Sequence, residues 1–424
     1  MSSSLPSNSN AALTPVRAEE RVFNGMHLAS LWFSLGVGLL VMQIGAYLMP
    51  ALSPQQALLA IVGGSIVGAG LLAWVAKLGC DTGLSSAGLI HQVYGRHFAK
   101  LPVLLNIVQL LGWGAFELVV MRDSTVAIGR QAGSMQAEYW PWLATILWGA
   151  LLVVLMLGSM VHLVRKLISR IALPLVVLSL LWLSWQFVGM AHNQGLAALW
   201  SREGAGGMGV MPALDLVVAM PISWLPLVAD YSRYGKNGRS AMAGTWLGFG
   251  IANVWCYALG VLVALVLPSK DLVAALLLAQ GGLIALSLVL LDEVDNAYGD
   301  AYSGAVSAHS LSPNWSVRAW GLAIAVACTL LAMVLPMHSL EPFLLILSSV
   351  FVPLFGVILG RLAFGGFRLP VAQANVHALP VALWLGGIAL YHALATWAPV
   401  AGSAIPTLLV TFVLAFATRA KPQA

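Results

Sequence analysis

The chain has few charged residues and few cysteines for its length. Of 424 residues, 8% are Asp, Glu, Lys or Arg, while 60% are hydrophobic. A soluble globular protein of this size needs more charge to cover its surface, so the composition excludes that class and indicates a polytopic membrane protein. The three cysteines, Cys80, Cys256 and Cys328, lie in apolar stretches without the spacing of metal ligands. They are predicted to be small core residues.

Several functional signals are also missing. The sequence has no phosphate-binding glycine loop, no HExxH and no CxxC, so we expect neither an enzyme nor a covalent cofactor. The net charge of +5 reports orientation in a membrane protein, and we expect no nucleic-acid partner. Residues 1–20 are polar and lack the apolar core of a signal peptide, which predicts a disordered cytoplasmic N-terminus.

About twenty apolar residues cross the hydrocarbon core of a bilayer, and that length gives twelve predicted spans. The spans are predicted at residues 28–49, 55–76, 102–121, 140–161, 168–190, 213–231, 242–267, 281–305, 319–336, 340–362, 378–396 and 401–419. With both termini in the cytoplasm, four of the 20 Lys and Arg residues fall outside: Arg122, Arg130, Arg202 and Lys270. This positive-inside bias supports the count of twelve.

Span 6 carries two prolines in its middle, Pro221 and Pro226, and span 1 carries Gly36 and Gly38. Proline removes a backbone donor and clashes with the preceding turn, so span 6 is predicted to break. Paired broken helices mark the substrate site of transporters built from inverted repeats. The alternative is that these residues only kink membrane helices, where they are common.

The five-helix spacing between the two interruptions predicts two repeats of opposite topology. Repeat one would cover residues 21–190, repeat two residues 213–362, and spans 11 and 12 at residues 378–419 would be additional. Together these features predict an all-α membrane protein with a 5+5 inverted repeat plus two helices.

Span 8 contains four ionisable residues in the segment LLDEVDNAYGDAYSG, namely Asp292, Glu293, Asp295 and Asp300. An Asp at the centre of a membrane helix costs about 3 kcal/mol on insertion scales, so these side chains should face a cavity, an ion or each other. Neighbouring carboxylates need a cation or a shared proton, which predicts a sodium or proton site. The alternative is a solvated inner helix end, if the span begins earlier than Gly281.

Span 3 places Gln109, Trp113 and Glu117 at four-residue steps on one stripe. An amide, an indole and a carboxylate on one face can bind a flat polar heterocycle. Interhelix contacts of a buried Gln and Trp are the alternative. Ser223 and Trp224 in the break of span 6 are further candidates, as is Gln43 on span 1, which is equally consistent with a core amide.

Several motifs resemble the nucleobase:cation symporter-1 family, which includes cytosine permeases and hydantoin and allantoin transporters. The resembling stretches are ISWLPLVADYSRYGKN at 222–237, KLGCDTGLSSAGLIHQVYG at 77–95, VQLLGWGAF in span 3 and VDNAYGDAYSG at 294–304. The resemblance implies the leucine-transporter-like fold and cation-coupled uptake of a planar heterocycle. It assigns Trp113, Gln109 and Ser223 to the substrate. It also assigns backbone carbonyls from Ser34 to Gly38, including Val37, to a sodium site together with span 8.

The sequence departs from cytosine permeases at the predicted site. Asp292 and Glu293 replace two threonines of span 8, which raises a proton alternative to sodium. Pro221 replaces an aromatic residue, so Trp224 is expected to supply the second stacking face. Asp295 and Asn296 on the same face as Asp292 are predicted to reach the substrate.

The branch with the closest likeness contains hydroxymethylpyrimidine transporters, and Glu117 suits an aminopyrimidine edge. We therefore expect a monomeric importer of hydroxymethylpyrimidine in the inner membrane of a bacterium. The alternatives are cytosine or another nucleobase, allantoin or hydantoin, an amino-acid-type carrier of the same fold, and a receptor that does not transport.

Overall fold

The computed structural model describes residues 12–267, 271–334, 340–364 and 374–419. Helices follow one another along these segments. Residues 1–11, at the start of the predicted N-terminal tail, lie outside the described residues. Residues 12–20, which we expected to be disordered, are instead folded: Ala12 is buried, and the Val16 N–H donates to the Gly83 carbonyl over 2.9 Å.

The helices of the described residues match the twelve predicted spans, with differences at their ends. Span 1 consists of Gly25–Ser34 and Leu39–Tyr47, span 2 is Pro54–Thr82, span 3 Lys100–Gln131, span 4 Trp140–Met156, span 5 Leu163–Ala172 continued by Leu173–Gln194, span 6 Val210–Ser223 and Leu225–Ser232, span 7 Gly238–Val266, span 8 Gly282–Leu311, span 9 Val317–Ala332, span 10 Leu340–Leu362, span 11 Ala378–Trp397 and span 12 Ala404–Ala417. Short helices between them cover Ala18–Glu20, Ser86–Tyr94, Leu196–Trp200, Leu272–Leu277 and Pro399–Ala401.

Length and composition support the membrane assignment. Among the described residues, seven helices are long and apolar enough to cross a membrane, and the bent pair of span 1 makes an eighth span. Three shorter apolar helices form spans 4, 9 and 12. Span 8 is a 30-residue helix whose buried carboxyl groups make it less apolar than the others. The all-helical, twelve-span prediction is confirmed.

Span 1 is broken between Ser34 and Leu39, and its two half-helices are bent by 58°. Gly38 lies extended in the break, and a Cβ there would be in ordinary contact, at 3.6 Å, with the carboxyl oxygens of Glu293. The broken backbone of span 1 therefore lies directly against the Glu293 side chain of span 8.

Span 6 is interrupted less than we predicted. Pro221 lies inside its first half-helix, and Trp224 alone separates the two halves. Pro226 occupies the start of the second half-helix, where its missing N–H removes no helical hydrogen bond. The N–H groups of Leu227 and Val228 both donate to the Trp224 carbonyl, and the Ser223 carbonyl is thereby left for another partner.

Glycines of span 7 bring its backbone against both halves of span 1. Side chains at Gly244 and Gly248 would collide with the carbonyls of Gly25 and Ala29, and one at Gly260 would collide with the Met42 carbonyl. Span 7 also packs on span 2, and span 3 packs on span 8. Spans 2 and 7 are equivalent in the two predicted repeats, as are spans 3 and 8, so these two contacts support the proposed division.

Spans 11 and 12 are attached to the rest through span 10 and through Asp215 near the start of span 6. The buried carboxylate of Asp215 accepts the N–H groups of Ser403 and Ala404, the latter over 3.2 Å. These amides lie at the N-terminus of span 12, where the helix leaves donors unsatisfied. A side chain of span 6 therefore caps span 12.

Candidate functional site

The predicted stripe of span 3 is buried and joins span 6 to span 8. Gln109 Nε2 donates to the Ser223 carbonyl over 3.1 Å, at the interruption of span 6. Two turns further on, Glu117 is buried on the same face of span 3, which packs on span 8. Trp113 lies between Gln109 and Glu117, and 6% of its surface is exposed. The structure therefore brings the three predicted stripe residues together at the meeting of three spans.

Each stripe residue keeps a buried polar atom without a hydrogen-bond donor or acceptor as partner: Gln109 Oε1, Trp113 Nε1 and Glu117 Oε2. Buried polar atoms in proteins are nearly always hydrogen-bonded, so a group of unpartnered ones needs an explanation. An acceptor and a donor at successive turns, beside an indole ring, match the edge of a flat polar molecule. The arrangement favours ligand binding over a purely structural contact.

The two candidate stacking residues, Trp113 and Trp224, each pack against an aromatic ring of another span. Trp113 lies edge to face with Phe343 of span 10, with ring centroids 5.3 Å apart. The Trp224 ring lies edge to face with the Trp32 ring of span 1, with ring centroids 6.0 Å apart. A Cβ at Gly299 of span 8 would lie 3.5 Å from the Trp224 ring. Both candidate stacking residues are therefore held in place by neighbouring spans.

Ser223 contributes its backbone rather than its side chain. Its hydroxyl donates to the Met220 carbonyl of its own helix over 2.7 Å, while its carbonyl accepts from Gln109. The hydroxyl that the sequence suggested as a substrate contact is thus already engaged.

The acidic cluster of span 8 faces the break of span 1. Asp292 and Asp295 both contact the Ser34 hydroxyl, over 2.5 and 3.2 Å. Glu293 accepts the N–H of Leu39, and Asn296 Nδ2 donates to the Val37 carbonyl over 3.0 Å. All four span 8 side chains are buried in the middle of the helix, so the alternative of a solvated helix end is wrong.

These contacts leave the substrate roles predicted for the same residues as predictions. Asp295 and Asn296, predicted to reach the substrate, hold span 8 to the break of span 1. Glu117, also predicted at the substrate, is buried with its Oε2 unpartnered. Gln43 is exposed and lines a cavity of about 280 Å³ with Asp123 and Ser124 of span 3.

The predicted sodium ligands lie together at the break of span 1. The Val37 carbonyl accepts the Asn296 amide, and Ser34 Oγ lies between two aspartates. A carbonyl oxygen has two lone pairs, so one N–H donor leaves it able to accept a second partner. In the described part of the chain, no group of three or more His, Cys, Asp or Glu side chains is arranged to hold a metal ion. The assignment of these oxygens to a sodium or proton site stays a prediction.

Asn106 belongs to the site and was missed from the sequence. Its Nδ2 donates to the Pro226 carbonyl over 3.1 Å and to Ser307 over 3.0 Å, and its Oδ1 accepts from Gln109. It lies one turn before Gln109, so the same helical spacing would have found it.

The sequence that forms these interrupted helices and this polar stripe also matches a known permease family. A sequence profile described as a permease for cytosine/purines, uracil, thiamine, allantoin matches residues 15–377. The chain belongs to this family. It is a nucleobase:cation symporter-1 protein, as its motifs suggested.

Curated members of the permease family match part of the chain. The purine-cytosine permease FCY2 of Saccharomyces cerevisiae is 24% identical over 230 residues, and the purine-uracil permease NCS1 of Arabidopsis thaliana is 23% identical over 254. These alignments cover 52% and 56% of this chain but 40% and 42% of the two permeases. Both relatives are transporters and not enzymes.

Solved structures show the same fold. MHP1, a nucleobase-cation-symport-1 family transporter in a closed conformation with bromovinylhydantoin bound, superposes with a TM-score of 0.80 at 16% identity, covering 96% of this chain and 93% of that one. MhsT in complex with L-phenylalanine gives 0.61 at 16% identity, covering 92% and 98%. The leucine-transporter-like fold implied by the motifs is confirmed.

Proposed function

We propose that this permease imports a pyrimidine by cation symport, and that hydroxymethylpyrimidine is its substrate. The observation that carries the proposal is the buried stripe of span 3, with its unpartnered Gln109 Oε1 and Trp113 Nε1 beside an interrupted helix. An aminopyrimidine offers an exocyclic amine to the unpartnered Gln109 Oε1. Its flat ring would stack on Trp113, with Trp224 as the second face.

The family and its solved relatives support transport of this kind of molecule. The family description includes cytosine, uracil and thiamine, and MHP1 was solved with a substituted hydantoin, another flat nitrogen heterocycle. Cytosine and the remaining nucleobases, allantoin and hydantoins are therefore the alternatives to test beside hydroxymethylpyrimidine. We further propose that the protein resides in a bacterial inner membrane with both termini in the cytoplasm.

The deciding experiment is uptake into proteoliposomes. Labelled hydroxymethylpyrimidine and cytosine would be supplied separately, under an imposed sodium or proton gradient. We expect accumulation of hydroxymethylpyrimidine above that of cytosine. Accumulation of cytosine alone would assign the substrate to the alternative branch. Binding and uptake of amino acids but no heterocycle would contradict the proposal.

Trp113→Ala should reduce uptake to the level of empty liposomes, because the stacking face is removed. Trp113→Phe should keep part of the uptake, since it keeps an aromatic face. Trp185→Ala is the matched control, because Trp185 is 75% exposed on the outside of span 5. Near-normal uptake by Trp113→Ala would remove that residue from the site.

A further inference from the structure

The cavity of about 280 Å³ that Gln43 lines lies beside the break of span 1. It is bounded by span 3, by the second half-helix of span 1 and by the short helix Leu272–Leu277. Within the described segments, its polar lining comes from Gln43, Asp123, Ser124 and Asp271, and the rest of its wall is apolar. Apolar walls with a few polar groups are typical of small-molecule sites, and this volume suits a single small ring.

Ser124 gives the cavity a buried polar group that has nothing to bind. The residue is fully buried on span 3, and its hydroxyl has no hydrogen-bond partner among the described residues. Buried hydroxyl groups in proteins nearly always have a partner. Because Ser124 lines the cavity, a molecule bound there would supply the missing hydrogen bond.

The carboxylates of the cavity favour a ligand that donates hydrogen bonds. Asp123 Oδ1 accepts from Arg122 Nε over 2.7 Å, and Asp271 Oδ1 accepts the Ala274 N–H over 3.1 Å. A carboxylate has two oxygens with about four acceptor positions, so neither bond saturates its carboxylate. An N–H group of a ligand therefore meets acceptors here, and apolar walls favour a ring over a bare cation.

The cavity continues the face of span 3 that carries the stripe. Glu117, Val120 and Ser124 follow one another at steps of three and four residues, the spacing of one helix face, and the last two line the cavity. At a rise of about 1.5 Å per residue, Ser124 lies about 16 Å along span 3 from Trp113. A single ring does not span that distance, so the cavity and the stripe are separate places for a ligand.

Leu39 connects these two places. It begins the second half-helix of span 1, lines the cavity, and its N–H donates to Glu293 of span 8. The cavity residues Gln43, Asp123 and Asp271 are exposed. The cavity is therefore open to water, on the side of the membrane that the distribution of Lys and Arg places outside, and borders the broken backbone.

We propose that this cavity is an outer binding site, which takes a small amino-substituted heterocycle before the molecule moves to Trp113. The amine of the ring donates to Asp271 and Gln43, a ring nitrogen accepts from the Ser124 hydroxyl, and the apolar walls cover the ring. The choice of ligand rests on the proposed function. Because substrate enters through this site, weakening it raises the KM of uptake and leaves kcat nearly unchanged.

Protection of a cysteine tests the outer site without requiring transport. Ala127→Cys places a thiol on the cavity wall, and Gln136→Cys, exposed after span 3, is the matched control. Both are made in the Trp113→Ala background, where the stripe lacks its stacking face. Hydroxymethylpyrimidine and cytosine are tested separately. At about ten times its Kd, the bound compound should slow maleimide labelling of Ala127→Cys about tenfold and leave Gln136→Cys unchanged.

The outcomes of this experiment separate the outer site from the proposed function. Unchanged labelling of Ala127→Cys would overturn the outer site, even if the wild-type protein accumulates the pyrimidine. Equal slowing at both positions would overturn it as a nonspecific effect of the compound. Protection by sodium or calcium ions but by neither heterocycle would assign the cavity to a cation instead. Protection by a heterocycle without uptake into proteoliposomes would keep the outer site and remove the proposed transport.

Two substitutions test the assigned side chains in the otherwise wild-type protein. Ser124→Ala removes one hydrogen bond and should weaken outer binding about fivefold, with a matching rise in KM. Asp271→Asn removes a charge but keeps a residue that caps the short helix, and it should act in the same direction. Glu138→Gln, an exposed position outside the cavity, is the control and should behave like wild type. An unchanged KM in both variants would contradict the assignment.

Equilibrium dialysis gives a count that does not depend on the folding of any variant. The wild-type protein should bind two molecules of the transported heterocycle per chain, one at the stripe and one in the cavity. Trp113→Ala, checked for folding by size-exclusion profile and thermal midpoint in detergent, should bind one. A single molecule per wild-type chain at saturation would overturn the outer site and leave the proposed function in place.

Discussion

At the scale of single residues, the contacts of the site combine short-range patterns with partners distant in sequence. Helical spacing predicts that Gln109, Trp113 and Glu117 share a face, and in the structure all three are buried on one continuous helix. Spacing does not reveal that the Leu39 N–H donates to Glu293, or that Asn296 donates to the Val37 carbonyl, because these partners are set by tertiary packing. Nor does it show that Ser223 uses its carbonyl, which depends on the shifted hydrogen bonds after Trp224.

His91 gives a residue-scale prediction outside the membrane spans. It is buried in the helix Ser86–Tyr94, and burial, with a smaller effect of Lys100, lowers its pKa to about 4. Between pH 6.5 and about pH 4, the His91 side chain is protonated in the unfolded chain but not in the folded chain. Folding stability should therefore fall as pH drops, by about 3 kcal/mol in total.

The thermal midpoint in detergent, measured from pH 8 to 5, checks this expectation. Wild type should lose stability below pH 6.5, whereas His91→Gln should lose less over the same range. His192→Gln, at an exposed position, serves as the control and should follow wild type. Parallel curves for His91→Gln and wild type would contradict the prediction.

At the scale of the helices, the glycines of span 7 determine how closely span 1 can approach. The break of span 1 was predictable from Gly36 and Gly38, whereas the contact of Gly248 with Ala29 was not, because its partner lies over two hundred residues away. The interruption of span 6 is smaller than the two prolines suggest. Pro226 lies in the first turn of the second half-helix, where proline is tolerated. Asn106 and Gln109 of span 3 donate hydrogen bonds to the Pro226 and Ser223 carbonyls.

Gly248→Ala should destabilise the protein by about 1–3 kcal/mol, because the added methyl group collides with the Ala29 carbonyl and overpacks the contact. Gly250→Ala on the same helix is the control, since its methyl group would meet Ala69 at an ordinary 3.6 Å. Thermal unfolding in detergent measures both. Equal midpoints would show that spans 1 and 7 adjust without cost.

At the scale of the whole molecule, apolar length and the distribution of Lys and Arg were sufficient to predict twelve spans. They succeed because the bilayer imposes a fixed length on each helix. The division into two repeats is harder to predict from the sequence, because the two halves share no residue-level identity. It depends on which helices pack together, and the span-to-span contacts support it.

Orientation can be tested with single cysteines, because the three native cysteines are buried and should give little background. A membrane-impermeant maleimide applied to intact cells should label Gln136→Cys, after span 3, and should label Lys236→Cys, after span 6, only once the membrane is opened. Both positions are exposed in the structure. The reverse pattern would place the termini outside.

The cap that Asp215 provides to span 12 makes the last two helices hard to remove. Without Ser403 and Ala404, the Asp215 carboxylate of span 6 would lose these two backbone donors, and a carboxylate without partners is costly inside a membrane helix. A ten-helix derivative would therefore need an apolar residue at position 215 to remain inserted. Evolutionary loss of spans 11 and 12 would therefore have to be accompanied by a substitution at position 215 in span 6.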